Sequence, residues 1–306
     1  INWNLKTMIK KILAIYKYLY SHPLAKNHKI AVFKKFIFWQ IFISLGGNKS
    51  IFNWINNSKL IISKGEASIT GNYYTGLMEY EYMLFLLHFL KKENTFIDVG
   101  ANSGVYSILS SKVIGCKTIA FEPNTEAFER LIDNININRI DNKVSPINKG
   151  VGSAVGELYF SNDADTENKV SINVRTNTSL VPVTTLDNEM IISDAIYVLK
   201  VDVEGFEMEV LKGARNLLKS GKISCIIIET NGAGLEFGYT DLELHNFICS
   251  FGYSAINYDP LHRKIEHIKS PNNIANTIYL ANVEQAKIIC KNSKKIVIHS
   301  AFNQII

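Results

Sequence analysis

The chain has 306 residues, 47% hydrophobic and 20% charged, which is enough apolar content to bury a sizeable core and rules out a disordered or collagen-like polymer. Residues 1–65 contain eleven Lys and no Arg, Asp or Glu, whereas residues 66–306 carry 22 basic and 28 acidic side chains. The overall +5 is therefore the sum of two opposite regions, and the mildly acidic body gives no ground for nucleic-acid binding.

In the first region, Ile9, Ile12, Leu13, Tyr16, Leu19 and Tyr20 recur at helical spacing, with Lys10, Lys11 and Lys17 off the stripe. Ser21-His22-Pro23 ends that helix. A second helix is predicted over residues 25–43, apolar nearly all round and stopped by Gly46-Gly47. Residues 59–63 and 67–70 read as a hairpin that turns at Lys64-Gly65. Residues 1–74 thus form a basic helical region with a small hairpin. Its Lys heads beside apolar faces suit peripheral contact through residues 1–65 with an anionic inner-membrane surface. The competing expectation, ranked first, is that these helices pack on the rest of the chain, because residues 33–43 are apolar enough to need a protein partner.

From residue 77 an apolar helix leads into Thr95-Phe96-Ile97-Asp98-Val99, a buried strand. Strand and helix then alternate. Ile119 and Phe121 close a second strand, and Phe128, Leu131, Ile132 and Ile135 mark a helix capped by Asn124. Residues 144–151 read as a third strand and 157–160 as part of a hairpin. Residues 196–201 form the fourth strand, followed by one helix bearing Phe206, Val210, Leu211 and Leu217. Residues 224–228 form the fifth, and Leu244, Phe247, Ile248 and Phe251 mark the next helix. Residues 253–257 and 277–280 can supply closing strands. This alternation predicts an α/β fold, a mostly parallel sheet with helices on both faces, over residues 75–282; residues 283–306 are left as a tail packing on that domain.

Three constellations carry chemistry. In Asp98-Val99-Gly100-Ala101-Asn102-Ser103-Gly104 a strand breaks into a glycine loop and reopens as a helix, where a ligand can approach the backbone and meet free N–H donors. Glu122, in Phe121-Glu122-Pro123, ends the next strand and is placed to accept hydrogen bonds from the vicinal hydroxyls of a ribose. The loop lacks the third glycine of the pyrophosphate-binding fingerprint, which favours S-adenosylmethionine over a dinucleotide. Asp98, Gly100, Asn102, Gly104, Glu122 and Asp202 are accordingly the candidate cofactor residues. The third constellation is Leu199-Lys200-Val201-Asp202-Val203-Glu204-Gly205-Phe206-Glu207, with Glu229 closing the next strand. Asp202 and Glu229 are expected to face the same crevice.

These motifs, with Thr185-Leu186-Asp187 and Val210-Leu211-Lys212-Gly213-Ala214, resemble in order those of the FkbM family of S-adenosylmethionine-dependent methyltransferases, over residues 71–280. The resemblance implies a class I methyltransferase fold, Rossmann-like, with seven strands of which one is antiparallel. It also implies methyl transfer to a hydroxyl of a sugar or lipid-linked glycan in surface-polysaccharide synthesis. Asp202 or Glu229 is then the candidate general base. A divalent ion on Asp202, Glu204 and Glu229 is chemically feasible and not favoured. The alternatives are an NAD-dependent sugar oxidoreductase and a non-catalytic glycan-assembly partner retaining the fold.

Other residues take ordinary roles. His88 is expected to be a packed histidine, Trp39 and Trp54 core, and the remaining histidines show no ligand spacing. Cys116, Cys225, Cys249 and Cys290 form no CxxC pair and read as small hydrophobes in a reducing cytoplasm. No apolar run reaches the ~18 residues of a membrane span, and no secretory leader pattern opens the chain, so a cytoplasmic location is expected.

Overall fold

The computed structural model describes residues 17–161, 178–190, 194–273, 275–298 and 303–305. The expected first helix lies largely outside the described residues, which are helical over 17–21. The chain forms two compact units, residues 1–80 with 295–306, and residues 81–294.

In the first unit, α1 (Lys29–Ser44) precedes a hairpin of β1 (Lys49–Asn53) and β2 (Lys59–Ser63), followed by α2 (Ala67–Thr75). The hairpin lies one strand earlier than expected, with Lys49 opposite Ser63 and a turn at Asn56 and Asn57, both left-handed (φ 45° and 62°). The Lys64-Gly65 turn pair predicts a strand over residues 67–70. Instead, Glu66, 2% exposed, accepts a hydrogen bond from the Ser63 N–H, and the chain turns into a helix that buries Ile69 and Tyr74. Trp54, Ile55, Leu60 and Ile62 are buried, and Trp39 with them, as expected of core tryptophans.

The second unit is built on α3 (Tyr80–Phe89) and an eight-stranded sheet. β3 (Thr95–Val99) runs into α4 (Val105–Ile108), which continues as a π-helical turn over Leu109–Ile114. β4 (Lys117–Phe121), α5 (Thr125–Asn138) and β5 (Val144–Ile147) follow. The Asn124 side chain accepts from Ala127 N at 2.9 Å and caps α5. β6 (Gly150–Val151), β7 (Gly156–Ser161) and β8 (Thr178–Thr184) make a separate three-stranded sheet in which β7 and β8 pair antiparallel. α6 (Leu186–Glu189) and β9 (Tyr197–Val201) come next, then α7 (Glu207–Lys212), α8 (Arg215–Lys219) and β10 (Ile223–Thr230). The chain closes the sheet with α9 (Asp241–Cys249), β11 (Ser254–Asp259), β12 (Lys264–His267) and β13 (Ala275–Leu280), before α10 (Val283–Lys291). β14 (Val297–Ile298) and β15 (Gln304–Ile305) pair within the first unit.

The large sheet has the order β12-β11-β13-β10-β9-β3-β4-β5. β5, β4, β3, β9 and β10 are mutually parallel, and β13 is inserted antiparallel between β10 and β11. That is the expected seven-stranded core with one reversed strand. β12 adds an eighth by folding back on β11 as an edge hairpin, so two strands run against the rest. Both faces are covered: all five residues of β9 are buried, and Ile226 and Ile228 of β10 are 0% exposed. His88 is a packed histidine, 3% exposed with Nδ1 2.6 Å from the Tyr258 hydroxyl, and burial lowers its pKa to about 4. Among the cysteines, Cys116, Cys225 and Cys290 are buried and Cys249 partly so.

The single helix expected after β9 is two short ones. Asp187 explains the break: its two carboxylate oxygens accept from Asn216 N and Leu217 N, both at 2.9 Å, and so cap α8 from α6, distant in sequence. Asp187→Ala should therefore lower stability by about 1–2 kcal/mol, the usual worth of a cap. Urea denaturation checks this, with the midpoint expected to fall at unchanged slope.

Candidate active site

Strand register decides which side chains share the carboxyl edge of the sheet. Val99 pairs with both Phe121 and Val201, Phe121 with Ile147, and Val201 with Ile228. The next residue on each strand therefore falls in one row: Asn148, Glu122, Gly100, Asp202 and Glu229. Of the predicted site residues, Gly100, Glu122, Asp202 and Glu229 are brought together by that row, although they are dispersed over about 130 positions of the chain.

The glycine loop is held by its neighbours. Gly100 (φ 80°) lies so close to β9 that a Cβ there would stand 1.8 Å from the Asp202 carbonyl oxygen. The approach that requires glycine at this position is thus made by the protein's own backbone. Gly100 N and Ala101 N both donate to Phe121 O, at 3.0 and 2.9 Å. Gly104 (φ 86°) is the left-handed residue that opens α4. Asn102 N donates to Glu122 Oε2 at 2.8 Å, and Asn124 N donates to Glu122 Oε1 at 2.9 Å. The Glu122 carboxylate, 6% exposed, is the clasp between the two loops. Burial is the main cause that raises its pKa to about 7, against the two backbone hydrogen bonds, which lower it.

Asp98 sits beneath the loop, 1% exposed. Ser107 Oγ donates to Asp98 Oδ2 at 2.7 Å, while Oδ1 is buried with no hydrogen-bond partner among the described residues. Burial raises the Asp98 pKa and the nearby Lys200 charge opposes it. Lys200, 3% exposed, donates through Nζ to Asp202 Oδ2 at 2.8 Å and stands 4.6 Å from the centre of the Tyr106 ring. The Asp202 side chain keeps 26% exposure.

Across the crevice, carboxylate oxygens of Asp202, Glu204 and Glu229 lie within 4.8 Å of one another. These are the three oxygen donors that could hold a hard cation. Burial, then the charges of Asp202, Glu204 and Glu207, pushes Glu229 up to about 9. Asn231 Nδ2 donates to its Oε1 at 2.8 Å. Glu204 is left-handed (φ 54°), uncommon outside glycine, and the turn is tied by Glu207, whose Oε1 accepts from Val203 N and Gly205 N. The Tyr239 hydroxyl lies 3.0 Å from Glu207 Oε2.

Lys200, Ser107 and Asn148 are among the residues of this arrangement that were not singled out from sequence. Lys200 could have been, because a lysine inside the apolar run Val198-Leu199-Lys200-Val201 must be paired. Ser107 and Asn148, whose Nδ2 donates to Glu122 O at 2.8 Å, carry no local signal.

Residues 98–255 match the family described as Methyltransferase FkbM domain, which covers half of the chain and includes every residue of the row. Hexuronic acid methyltransferase AglP of Haloferax volcanii is 32% identical over 161 residues, 52% of this chain and 64% of that protein. The chain thus matches less than two thirds of that relative's length. Among solved structures, precorrin-6y C5,15-methyltransferase of Geobacter metallireducens shares 13% identity with a TM-score of 0.38, covering 67% of this chain and 88% of its own. SMU.1697c of Streptococcus mutans, solved in complex with SAH, shares 12% with a TM-score of 0.39, covering 65% and 94%. On the strength of the matched domain and the motifs it contains, the chain belongs to the FkbM methyltransferase family.

Proposed function

We propose that this chain transfers a methyl group from S-adenosylmethionine to a hydroxyl oxygen of a sugar or a lipid-linked glycan. The observation that carries it is the row at the carboxyl edge, in which Glu122 clasps the glycine loop and Asp202 faces the same crevice. The residues fit the donor: Asp98 Oδ1 is a buried acceptor with no partner among the described residues, and the Glu122 oxygens retain lone pairs beyond their two backbone hydrogen bonds. S-adenosylmethionine supplies an electrophilic methyl carbon on a sulfonium.

Glu122 would accept the ribose hydroxyls, and the 98–104 loop would hold the amino-acid end. Asp202 would receive the proton of the acceptor hydroxyl as its oxygen bonds to the methyl carbon and the carbon–sulfur pair returns to sulfur. Lys200 fixes the Asp202 carboxylate through Oδ2. Burial and the neighbouring carboxylates raise the Glu229 pKa, whereas Asp202 is fixed by Lys200 and keeps part of its side chain open to the crevice, so Asp202 is the proposed base. Most of the rate would come from alignment in a water-poor pocket.

AglP's name points to an acidic sugar, and a uronic acid offers a carboxylate oxygen as well as hydroxyls. The concentration of acid at Asp202, Glu204 and Glu229 disfavours a second carboxylate as nucleophile and supports the hydroxyl. Labelled methyl transfer into lipid-linked glycan extracts tests this. A product stable to mild alkali is an ether, as proposed; one that loses its label is an ester and contradicts it.

Isothermal titration should show binding of S-adenosylmethionine and none of NAD. The affinity should rise from pH 6 to 8, because Glu122 ionises near 7 and its carboxylate accepts more hydroxyls than the acid form. Glu122→Gln should weaken binding by about 1.5–3 kcal/mol and flatten that pH dependence.

Asp202→Asn should keep cofactor binding and lower turnover by about 10²- to 10⁴-fold, whereas Glu229→Gln, which matches the protonated side chain, should stay within about threefold of wild type. Steady-state kinetics with the labelled donor separates the two.

A further inference from the structure

α1 is apolar on two sides. Val32 and Trp39 face inward, 1% and 4% exposed. On the other side Ile30, Phe33, Ile37, Phe38 and Ile41 are 76%, 48%, 39%, 65% and 52% exposed, and Leu45, just past the helix, is 83% exposed. At 3.6 residues per turn these six fall within an arc of about 140° that runs the length of the helix, roughly 24 Å. Exposed apolar residues are ordinary singly, but a continuous stripe marks an interaction surface. Lys34 stands within the stripe, and Lys26 and Lys49 lie beyond its two ends, all exposed.

We propose that this face docks on a bilayer surface containing anionic lipid. Charge complementarity selects that occupant. Residues 26–49 carry Lys26, Lys29, Lys34, Lys35 and Lys49 and no acid, and lysine stems can lie along apolar surface while their heads reach lipid phosphate. A second copy of the chain would bring Lys34 toward another Lys34 with no carboxylate from residues 1–65 to pair it. Among the described residues no helix is long and apolar enough to cross a membrane, so α1 would lie in the plane of the interface. The expectation that residues 33–43 are packed against protein holds for one side of α1 only. The docking face stands independently of the methyl-transfer reading.

Flotation of the 306-residue chain with phosphatidylcholine vesicles, and with vesicles in which about a third of the lipid is phosphatidylserine, tests this at ~0.15 M salt. The chain should bind the anionic vesicles at least about tenfold more strongly and lose that preference as salt rises. The double variant Ile37→Glu, Phe38→Glu alters exposed positions, so it should keep the wild-type circular dichroism and lose vesicle binding by at least about tenfold. Lys26→Gln with Lys34→Gln should weaken only the anionic binding, and it decides the matter if the first variant misfolds. Failure of the chain to float with either vesicle overturns the proposal. So does undiminished flotation of the folded Ile37→Glu, Phe38→Glu variant, or a dimer in sedimentation that this variant dissociates, which would make the occupant a second copy.

Discussion

A buried ammonium group organises the carboxyl edge of the sheet. Lys200 lies in the fully buried β9, and a charge placed there must be compensated or it destabilises the fold. Its Nζ reaches Asp202 at 2.8 Å and the Tyr106 ring at 4.6 Å, and its field opposes the burial of Asp98 and Glu229. Asp202 is held in turn, and its backbone carbonyl occupies the space where any side chain at Gly100 would begin. The glycine loop is thereby pressed against β4, where Gly100 and Ala101 donate to Phe121 and Asn102 donates to Glu122. One missing Cβ and one carboxylate clasp thus connect three neighbouring strands, and the ion pair closes the end of β9.

The same chain of contacts separates the acids by role. Glu122 is nearly enclosed and bonded to backbone N–H groups, with a pKa of about 7, so it stands at the edge of ionisation. Glu229 is driven further, to about 9, by burial and three neighbouring carboxylates. Asp202 faces the lysine and keeps part of its side chain open to the crevice. Acids whose surroundings push them apart in this way can divide binding from proton transfer within a single crevice.

Much of this was legible in the sequence because it depends on residue type at strand ends. Asp98, Gly100, Gly104 and Glu122 announce a strand-loop-helix unit and a following strand, and both are found where expected. The adjacency of Asp202 to Gly100 was less accessible, because β9 joins β3 only after the chain has made the β6-β7-β8 sheet. Local pattern also failed where a distant side chain decides the backbone. Asp187 caps α8 from 29 residues away and divides a helix that periodicity alone makes continuous. Residues 67–70 form the first turn of α2 where the Lys64-Gly65 turn pair pointed to a strand. The outward stripe of α1 was unreadable for a different reason: a helix apolar all round does not reveal which side the protein covers.

The central claim is that the row at the carboxyl edge is a cofactor site whose ribose anchor is Glu122. A crystal structure of the chain with S-adenosylhomocysteine tests it most directly. The account predicts both ribose hydroxyls within hydrogen-bond distance of the Glu122 carboxylate and the sulfur facing the crevice beside Asp202. A ligand bound away from the 98–104 loop, or a ribose with no contact to Glu122, would contradict it.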